Sequence, residues 1–384
     1  MTLGIEPSKK FWILQSVEFE YKFLTRAVMQ STSQIAKNQN RKHPLSVLPS
    51  LREIEFVCPL CRNALNVSDE AYNCVDCQKT YPLHAGIPDF RVFLDRWLNY
   101  KEDRVRTEIV LAVLEKFNLE KILEHYWSFS DITPEDLRQK FIRSVMLGEQ
   151  KARRTLQMLE DKTFGKSDAD VRRVLEIGSG TGNFLVLAAG RYEHVVGVDI
   201  AMRWLHVSRR RFMEAGLEVP PLVCCCAEFL PFANKSFDLI VAVSTLEFVN
   251  DQEKVLAEAA RTLADEGAFF INTVNRFALA RDPYAYLWGV GFLPRSMQAR
   301  YVRRRRNAVY DFTKTVSYRE LNQMSQNHFQ KKEFALPDVP DEILQEFSSV
   351  TRSQIKFYRL LKKNAAFRLL FKWIGPGWDV LLRK

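Results

Sequence analysis

Apolar residues along this 384-residue chain follow two rhythms. Short unbroken runs, such as Val174-Leu175 before Ile177 and Val195-Val196 before Val198, suit buried strands. Elsewhere they recur at three- and four-residue spacing. Ile109, Val110, Val113, Leu114 and Phe117 predict a helix, and so does the segment Phe184 to Ala189. Strands and helices then alternate from about 171 to 275, which predicts a doubly wound α/β sheet. A helix over 318–327 and a strand over 331–334 resume the pattern, and 371–384 reads as a last strand with its preceding turn. Between about 276 and 315 lies an insertion. Its first half is aromatic and apolar (284–294), and its second carries the arginine run 300–306. Residues 91–165 read as helices, with Thr133-Pro134-Glu135-Asp136 as one start: a capping Thr, Pro at the first position, acids in the first turn. Residues 1–52 read as a polar leader, because 34–49 is too rich in Asn, Lys, Ser and Pro to build a core. There is no internal repeat.

The first strand of the sheet ends in glycines at alternate positions, Gly178, Gly180 and Gly182. A strand that breaks into glycines and opens a helix lets a ligand approach the backbone, because no Cβ stands in the way. The second strand, Val195 to Val198, ends at Asp199, a carboxylate placed to accept hydrogen bonds from both ribose hydroxyls. The pair describes a nucleoside-binding unit. It is not a dinucleotide fingerprint: counted from Gly178, the final glycine or alanine of G-x-G-x-x-G/A would fall on Asn183.

The spacing here is E-x-G-x-G-x-G, led by Glu176. It resembles motif I of the class I S-adenosylmethionine-dependent methyltransferases. Three further segments resemble that family in the right order: Cys226-Ala-Glu-Phe-Leu-Pro-Phe232, Ser236 to Val249, and the helix 257–263 with the strand 264–272. The resemblance is good over roughly 140–275 and loose elsewhere. It implies a Rossmann-like, doubly wound, seven-stranded methyltransferase sheet over 166–384, behind a helical cap over 91–165. It also implies S-adenosylmethionine held by Glu176, Gly178, Gly180, Gly182, Asp199, Ile200, Cys226, Ala227, Glu228 and Ser244. One departure stands out. The family often has an acidic residue for the adenine amino group where this chain has Cys226, the last of three consecutive cysteines. Those three read as a buried strand of small side chains.

The other four cysteines form two C-x2-C pairs, Cys58/Cys61 and Cys74/Cys77, with twelve residues between them. Four thiolates on two tight knuckles suit tetrahedral zinc, and a set with no open position is structural, not catalytic. A pair of disulfides is the rival reading. With Tyr81 to Phe90, the segment 53–90 resembles the small zinc ribbons fused ahead of bacterial methyltransferases.

Charge adds a second theme. The total is +10, but residues 276–310 carry +7 and 350–384 carry +8, leaving the rest mildly acidic. No apolar run is long enough to cross a membrane. No secretory signal stands out, so a cytoplasmic enzyme is the expectation, with peripheral contact at a membrane surface if the basic segments meet lipid. The insertion reads either as an acceptor lid, with Asn275, Arg276, Tyr284, Trp288 and Arg303 facing an anionic or greasy acceptor, or as an ordinary cap with solvated arginines. The basic stretch 352–373 reads either as a core-facing helix or as a membrane-surface helix. Glu247, just after the fourth strand, is either the general base or a water-facing carboxylate, and His206 in a basic helix reads as a surface residue. The function these features favour is methyl transfer to a small-molecule or lipid-like acceptor. The alternative is methylation of an RNA base.

Overall fold

A computed structural model describes residues 54–384 except 97, 130–134, 161–170 and 307–308. The leader and the Thr133-Pro134 helix start lie outside the described residues. The first unit is an antiparallel meander of β1 (Asn66–Val67), β2 (Ala71–Cys74), β3 (Lys79–His84) and β4 (Ile87–Pro88). Its interior is a ring cluster. Phe56, Tyr72, Tyr81 and Phe90 pack at centroid distances of 5.1–5.4 Å, and Phe232 of the main sheet joins them 5.8 Å from Phe56.

Helices α1 (Tyr100–Leu111), α2 (Leu119–Ser128), α3 (Glu135–Met146) and α4 (Gly148–Glu160) follow. Asn99 caps α1 in a capping box with Glu102, and Asn118 caps α2. The helical rhythm of Ile109 to Phe117 therefore breaks at Leu111, since the chain must turn to reach the extended cap at Asn118, yet Val113 and Leu114 stay buried. Tyr126 packs on Trp204 and Trp127 stacks on Phe141, so both serve the helical core.

The main sheet contains β5 (Arg173–Ile177), β6 (His194–Asp199), β7 (Leu222–Cys224), β8 (Phe237–Val243), β9 (Leu263–Val274), β10 (Lys331–Ala335) and β11 (Gly377–Arg383). Their order is β10-β11-β9-β8-β5-β6-β7, and only β11 runs antiparallel to its neighbours. This is the seven-stranded Rossmann-like methyltransferase sheet. Helices α5 (Asn183–Ala189), α6 (Met202–Glu214) and α7 (Gln252–Thr262) connect its parallel strands. The insertion carries α8 (Arg295–Arg306) and is closed at its base by a bridge between Asn275 and Val316. Helix α9 (Tyr318–Gln326) precedes β10; α10 (Ser349–Leu361) and α11 (Ala365–Ile374) precede β11.

Two expectations are corrected here. Residues 371–374 end a helix and are not part of the last strand; Asn364 caps α11, and Gly375-Pro376-Gly377 breaks it. The stretch 352–373 is not a core-facing helix, because neither α10 nor α11 has a buried residue. Among the described residues no helix is long and apolar enough to cross a membrane.

The meander is fused to the sheet. Asp89 bridges in parallel to Cys224, and Phe90 donates its amide to the Cys224 carbonyl at 2.7 Å. Val57 donates to Pro231 at 3.1 Å. The edge of β7 is thereby covered, which removes a site for unwanted strand pairing.

Candidate functional site

The strand order reverses between β5 and β8, the place where open α/β sheets bind ligands. All three glycines after β5 have positive φ, but for different reasons. A Cβ on Gly178 would lie 2.2 Å from Thr245 Oγ1, and one on Gly182 would lie 2.2 Å from Ser208 Oγ. A Cβ on Gly180 would meet nothing within 4 Å. Two glycines thus let protein pack on protein; the middle one keeps an open face. The Gly180 amide donates to Asp199 Oδ2 at 2.8 Å, and the Ala201 amide donates to Oδ1 at 2.8 Å. Burial pushes the Asp199 carboxyl up, and those two amides pull it back down. Glu176 lies beneath the loop, 5% exposed, and its Oε2 has no partner. Burial, then the Asp199 charge, pushes it well above the usual carboxylate range. Ser179 Oγ and Asn183 Oδ1, in the same loop and at the start of α5, are also buried and unpartnered. An open glycine face next to the amide that holds Asp199 leaves room for a polar ligand to approach the backbone.

A cleft of about 290 Å³ opens from this loop. Gly178, Asp199, Ile200, Ala227, Glu228 and Ser244 line it, together with Val243, Thr245 and Phe248. Glu228 is held by the amides of Asn250 and Asp251 at 2.6 and 3.2 Å. Cys226 is not on the wall: its thiol turns toward the Phe93 carbonyl at 3.3 Å, while Cys225 and Ala227 on either side face the cleft. Glu176, Gly180 and Gly182 stand behind or beside the wall, not on it.

Sequence reasoning missed one wall. Phe93, Asp95 and Arg96, on the segment leaving the meander, line the cleft with Arg203 and Trp204 of α6. Buried ion pairs fix them. Asp103 receives Arg91 at 2.6 Å and Arg203 at 2.7 Å; Arg203 also reaches Asp95 at 3.1 Å, and Arg91 reaches Asp89 at 2.6 Å. The cluster of aromatic and charged residues at 91–97 was the available signal, but its partners lie about a hundred residues away in sequence.

Glu247 is neither water-facing nor on the cleft. It is fully buried and accepts from Thr273 Oγ1 at 2.8 Å and the Val274 amide at 2.7 Å. Burial raises its pKa, and hydrogen bonds from Val274, Thr273 and Tyr284 oppose the rise. Of the five acceptor residues only Tyr284 comes close to the cleft, with its ring 4.9 Å from that of Phe248. Asn275 holds the carbonyls of Trp373 and Gly375 at 2.8 and 2.9 Å, and Arg276 holds those of Gly291 and Leu293 at 3.0 and 3.3 Å. Both line a separate cavity of about 240 Å³ inside the insertion. Trp288 is exposed, and Arg303 pairs with Asp311 at 3.2 Å on the surface. The insertion touches the cleft rim again where the Arg96 guanidinium lies over Phe312 at 5.5 Å.

His206 is a further correction. It is fully buried on α6 with both ring nitrogens unpartnered. Burial first, then the neighbouring charges of Arg209 and His84, pushes its pKa down to about 3.

Cys58, Cys61, Cys74 and Cys77 converge, with their sulfurs all within 4.8 Å of one another. Tetrahedral Zn–S bonds of about 2.3 Å put ligand sulfurs roughly 3.8 Å apart, so the set fits a metal. None of the seven cysteines forms a disulfide.

The sheet order and the glycine loop are those of the class I, S-adenosylmethionine-dependent methyltransferase fold. Residues 175–271 match the family described as "Methyltransferase domain". The chain is 31% identical over 119 residues to the ubiquinone biosynthesis O-methyltransferase of Hahella chejuensis (strain KCTC 2396), covering 31% of this chain and 48% of that one. It is 38% identical over 125 residues to the phosphatidylethanolamine N-methyltransferase of Cereibacter sphaeroides, covering 32% and 60%. A SAM-dependent methyltransferase structure from Thermotoga maritima aligns with a TM-score of 0.40 at 21% identity, over 64% of this chain and 95% of that one. The chain spans about half the length of the curated relatives it matches.

Proposed function

We propose that this protein transfers the methyl group of S-adenosylmethionine to a small-molecule or lipid-like acceptor. The observation that carries the reading is the open face of Gly180 beside the buried carboxylate of Asp199 at the sheet's switch point. The relatives named for ubiquinone biosynthesis and for phosphatidylethanolamine support a lipid-like acceptor.

When bound, S-adenosylmethionine supplies an electrophilic methyl group on a sulfonium. The chain's residues mainly position. Asp199 exchanges its Gly180 hydrogen bond for ribose hydroxyls, with Ile200 beside it. Glu176, behind the glycine loop, would help hold the amino-acid end. Ala227, Glu228 and Cys225 flank the base; Ser244 and Thr245 close the side toward the acceptor. In-line displacement needs little beyond such orientation. Glu247 is assigned no proton transfer. It ties the loop after β8 to the end of β9 and, through a hydrogen bond, to Tyr284 of the insertion. The four-cysteine set holds one structural zinc, in a ribbon.

Calorimetry with S-adenosylmethionine tests the donor site. Saturable binding that Asp199→Ala weakens at least about tenfold, or 1.4 kcal/mol, supports it; no binding by the native chain overturns it. Metal analysis of the purified protein should find one zinc per chain, lost together with the ribbon's fold in Cys61→Ser. Metal-free native protein would refute the zinc assignment.

A further inference from the structure

We propose that α10, α11 and the adjoining face of the insertion form a docking surface for the anionic headgroups of a lipid bilayer. The hairpin is anchored from beneath. Arg359 and Lys362 pair inward with Asp338 at 2.8 and 2.5 Å. Tyr358 joins α10 to α11 by packing on Phe371 at 5.1 Å, and the half-exposed Trp373 touches Tyr318 with one edge at 5.1 Å. Its outward face is apolar. Val350, Phe357 and Leu360 recur at spacings of seven and three on α10, and Leu369, Leu370 and Trp373 share one strip of α11. Phe357, Leu360 and Leu369 are each 62% exposed, and Trp373 is 51% exposed.

The strip continues onto the insertion. The Leu279 amide donates to the Ile374 carbonyl at 3.0 Å, the Trp288 indole donates to the Leu279 carbonyl at 3.1 Å, and Trp288 stacks on Phe292. Leu279, Trp288 and Phe292 are all exposed. Isolated exposed apolar residues are ordinary, but a continuous patch of this kind marks a contact surface.

Charge selects the occupant. Residues 349–374 contain seven basic side chains and no acidic one. Arg359 and Lys362 are spent inward. Arg352, Lys356, Lys363, Arg368 and Lys372 have no carboxylate partner among the described residues. By helical spacing, Lys356 and Lys363 flank the apolar strip of α10, and Arg368 and Lys372 flank that of α11. Leu, Phe and Trp between Lys and Arg is the pattern of a helix lying in the interface of an anionic bilayer. A second copy of the chain would bring like charges face to face. RNA would use stacking rings, whereas on the strips of the hairpin itself Val350, Leu360, Leu369 and Leu370 outnumber Phe357 and Trp373, and RNA has no use for those aliphatic side chains.

The proposal does not depend on methyl transfer, since binding is read without the donor. Full-length protein is sedimented with vesicles of phosphatidylcholine alone and of phosphatidylcholine with phosphatidylglycerol. Binding should be strong only with phosphatidylglycerol and should fall with salt. Lys356→Glu with Lys363→Glu should lower it by roughly tenfold or more. Leu360→Ser with Leu369→Ser should also weaken it while keeping the salt dependence. Melting temperature and donor affinity equal to those of the native chain identify folded variants, and the two pairs are independent, so one misfolded pair leaves the other decisive. Equal binding to both vesicle types overturns the proposal, as does native-like binding by a folded variant. So does a surface used otherwise: saturable RNA binding, or a dimer in sedimentation velocity, that these substitutions abolish while vesicles do not bind.

Discussion

Substituting Gly180 and Gly182 separately distinguishes a ligand cradle from a tight turn. Gly180→Ala places a methyl group where nothing stands within 4 Å, at φ +49°. The only intrinsic cost is the left-handed backbone, about 1–2 kcal/mol. In a chain of this size that lowers the melting temperature by a few degrees at most. The methyl group fills open space next to the amide that holds Asp199; if the donor's amino-acid end occupies that space, donor affinity should fall at least about tenfold, 1.4 kcal/mol. Gly182→Ala behaves oppositely. Its Cβ would lie 2.2 Å from Ser208 Oγ and 3.0 Å from Ser208 Cβ at φ +76°. The hydroxyl can rotate away but the Cβ cannot, so overpacking of about 1–3 kcal/mol adds to the backbone cost. Ser208→Ala in the same chain should recover only the hydroxyl's share. Denaturant unfolding and calorimetry on the two single variants and the rescue pair read both quantities. Donor affinity unchanged in Gly180→Ala would refute the cradle and leave the glycine run as a turn.

Two further outcomes follow from the buried polar groups. His206 is neutral in the folded chain with a pKa near 3, whereas an unfolded histidine titrates near 6.5. The unfolded state therefore gains a proton first as pH falls, and stability drops from about pH 6.5 downward, by roughly 2 kcal/mol at pH 5. His206→Leu should flatten that limb in urea titrations at pH 7.5 and 5, and superimposable pH dependences would contradict the assignment. Asp103→Asn leaves Arg91 and Arg203 buried without their shared counter-charge, which should cost about 3–5 kcal/mol and weaken donor binding through Arg203 and Asp95. Native donor affinity in a measurably destabilised variant would show that this network serves stability alone.

The parts legible in the sequence were those whose chemistry is local. The glycine run, Asp199 and the two C-x2-C pairs each fit within a few residues, and the parallel strands announced themselves as apolar runs. The parts that were not legible depend on what a helix packs against. Helix α6 looked like a basic surface helix because Arg203, His206 and Arg211 fall within it, but it is covered on two sides, by the sheet and by the helical cap. Arg203 and Arg211 are buried and bonded: Arg211 donates to the Thr181 carbonyl in the glycine loop at 2.8 Å. Glu247 misled for a related reason. The residues after β8 were read as facing the ligand, but a 3₁₀ turn over Leu246–Phe248 sends Phe248 to the cleft and Glu247 to the opposite side. At the C-terminus, the aromatic run around Phe371 suited a strand as well as a helix, and only the cap at Asn364 distinguishes the two.

The expected boundary at residue 90 cuts through one physical unit. A ribbon of roughly forty residues buries too little surface to be stable by itself, and here its core does not close without the sheet. Phe56, Tyr72, Tyr81 and Phe90 share a single cluster with Phe232, Phe237 and Leu175. Cys224, in the strand that receives the Phe90 amide, adjoins Cys225 on the cleft wall. The chain leaving that junction supplies Arg91 to the ion network and Phe93, Asp95 and Arg96 to the cleft. Arg62 extends the link by reaching Glu258 on α7 at 2.7 Å and the Leu230 carbonyl at 2.9 Å. The ribbon is therefore built into the cleft as one of its walls. Its packing on the sheet sets the position of the 91–96 segment, and through Arg203 that segment meets the helix that follows Asp199.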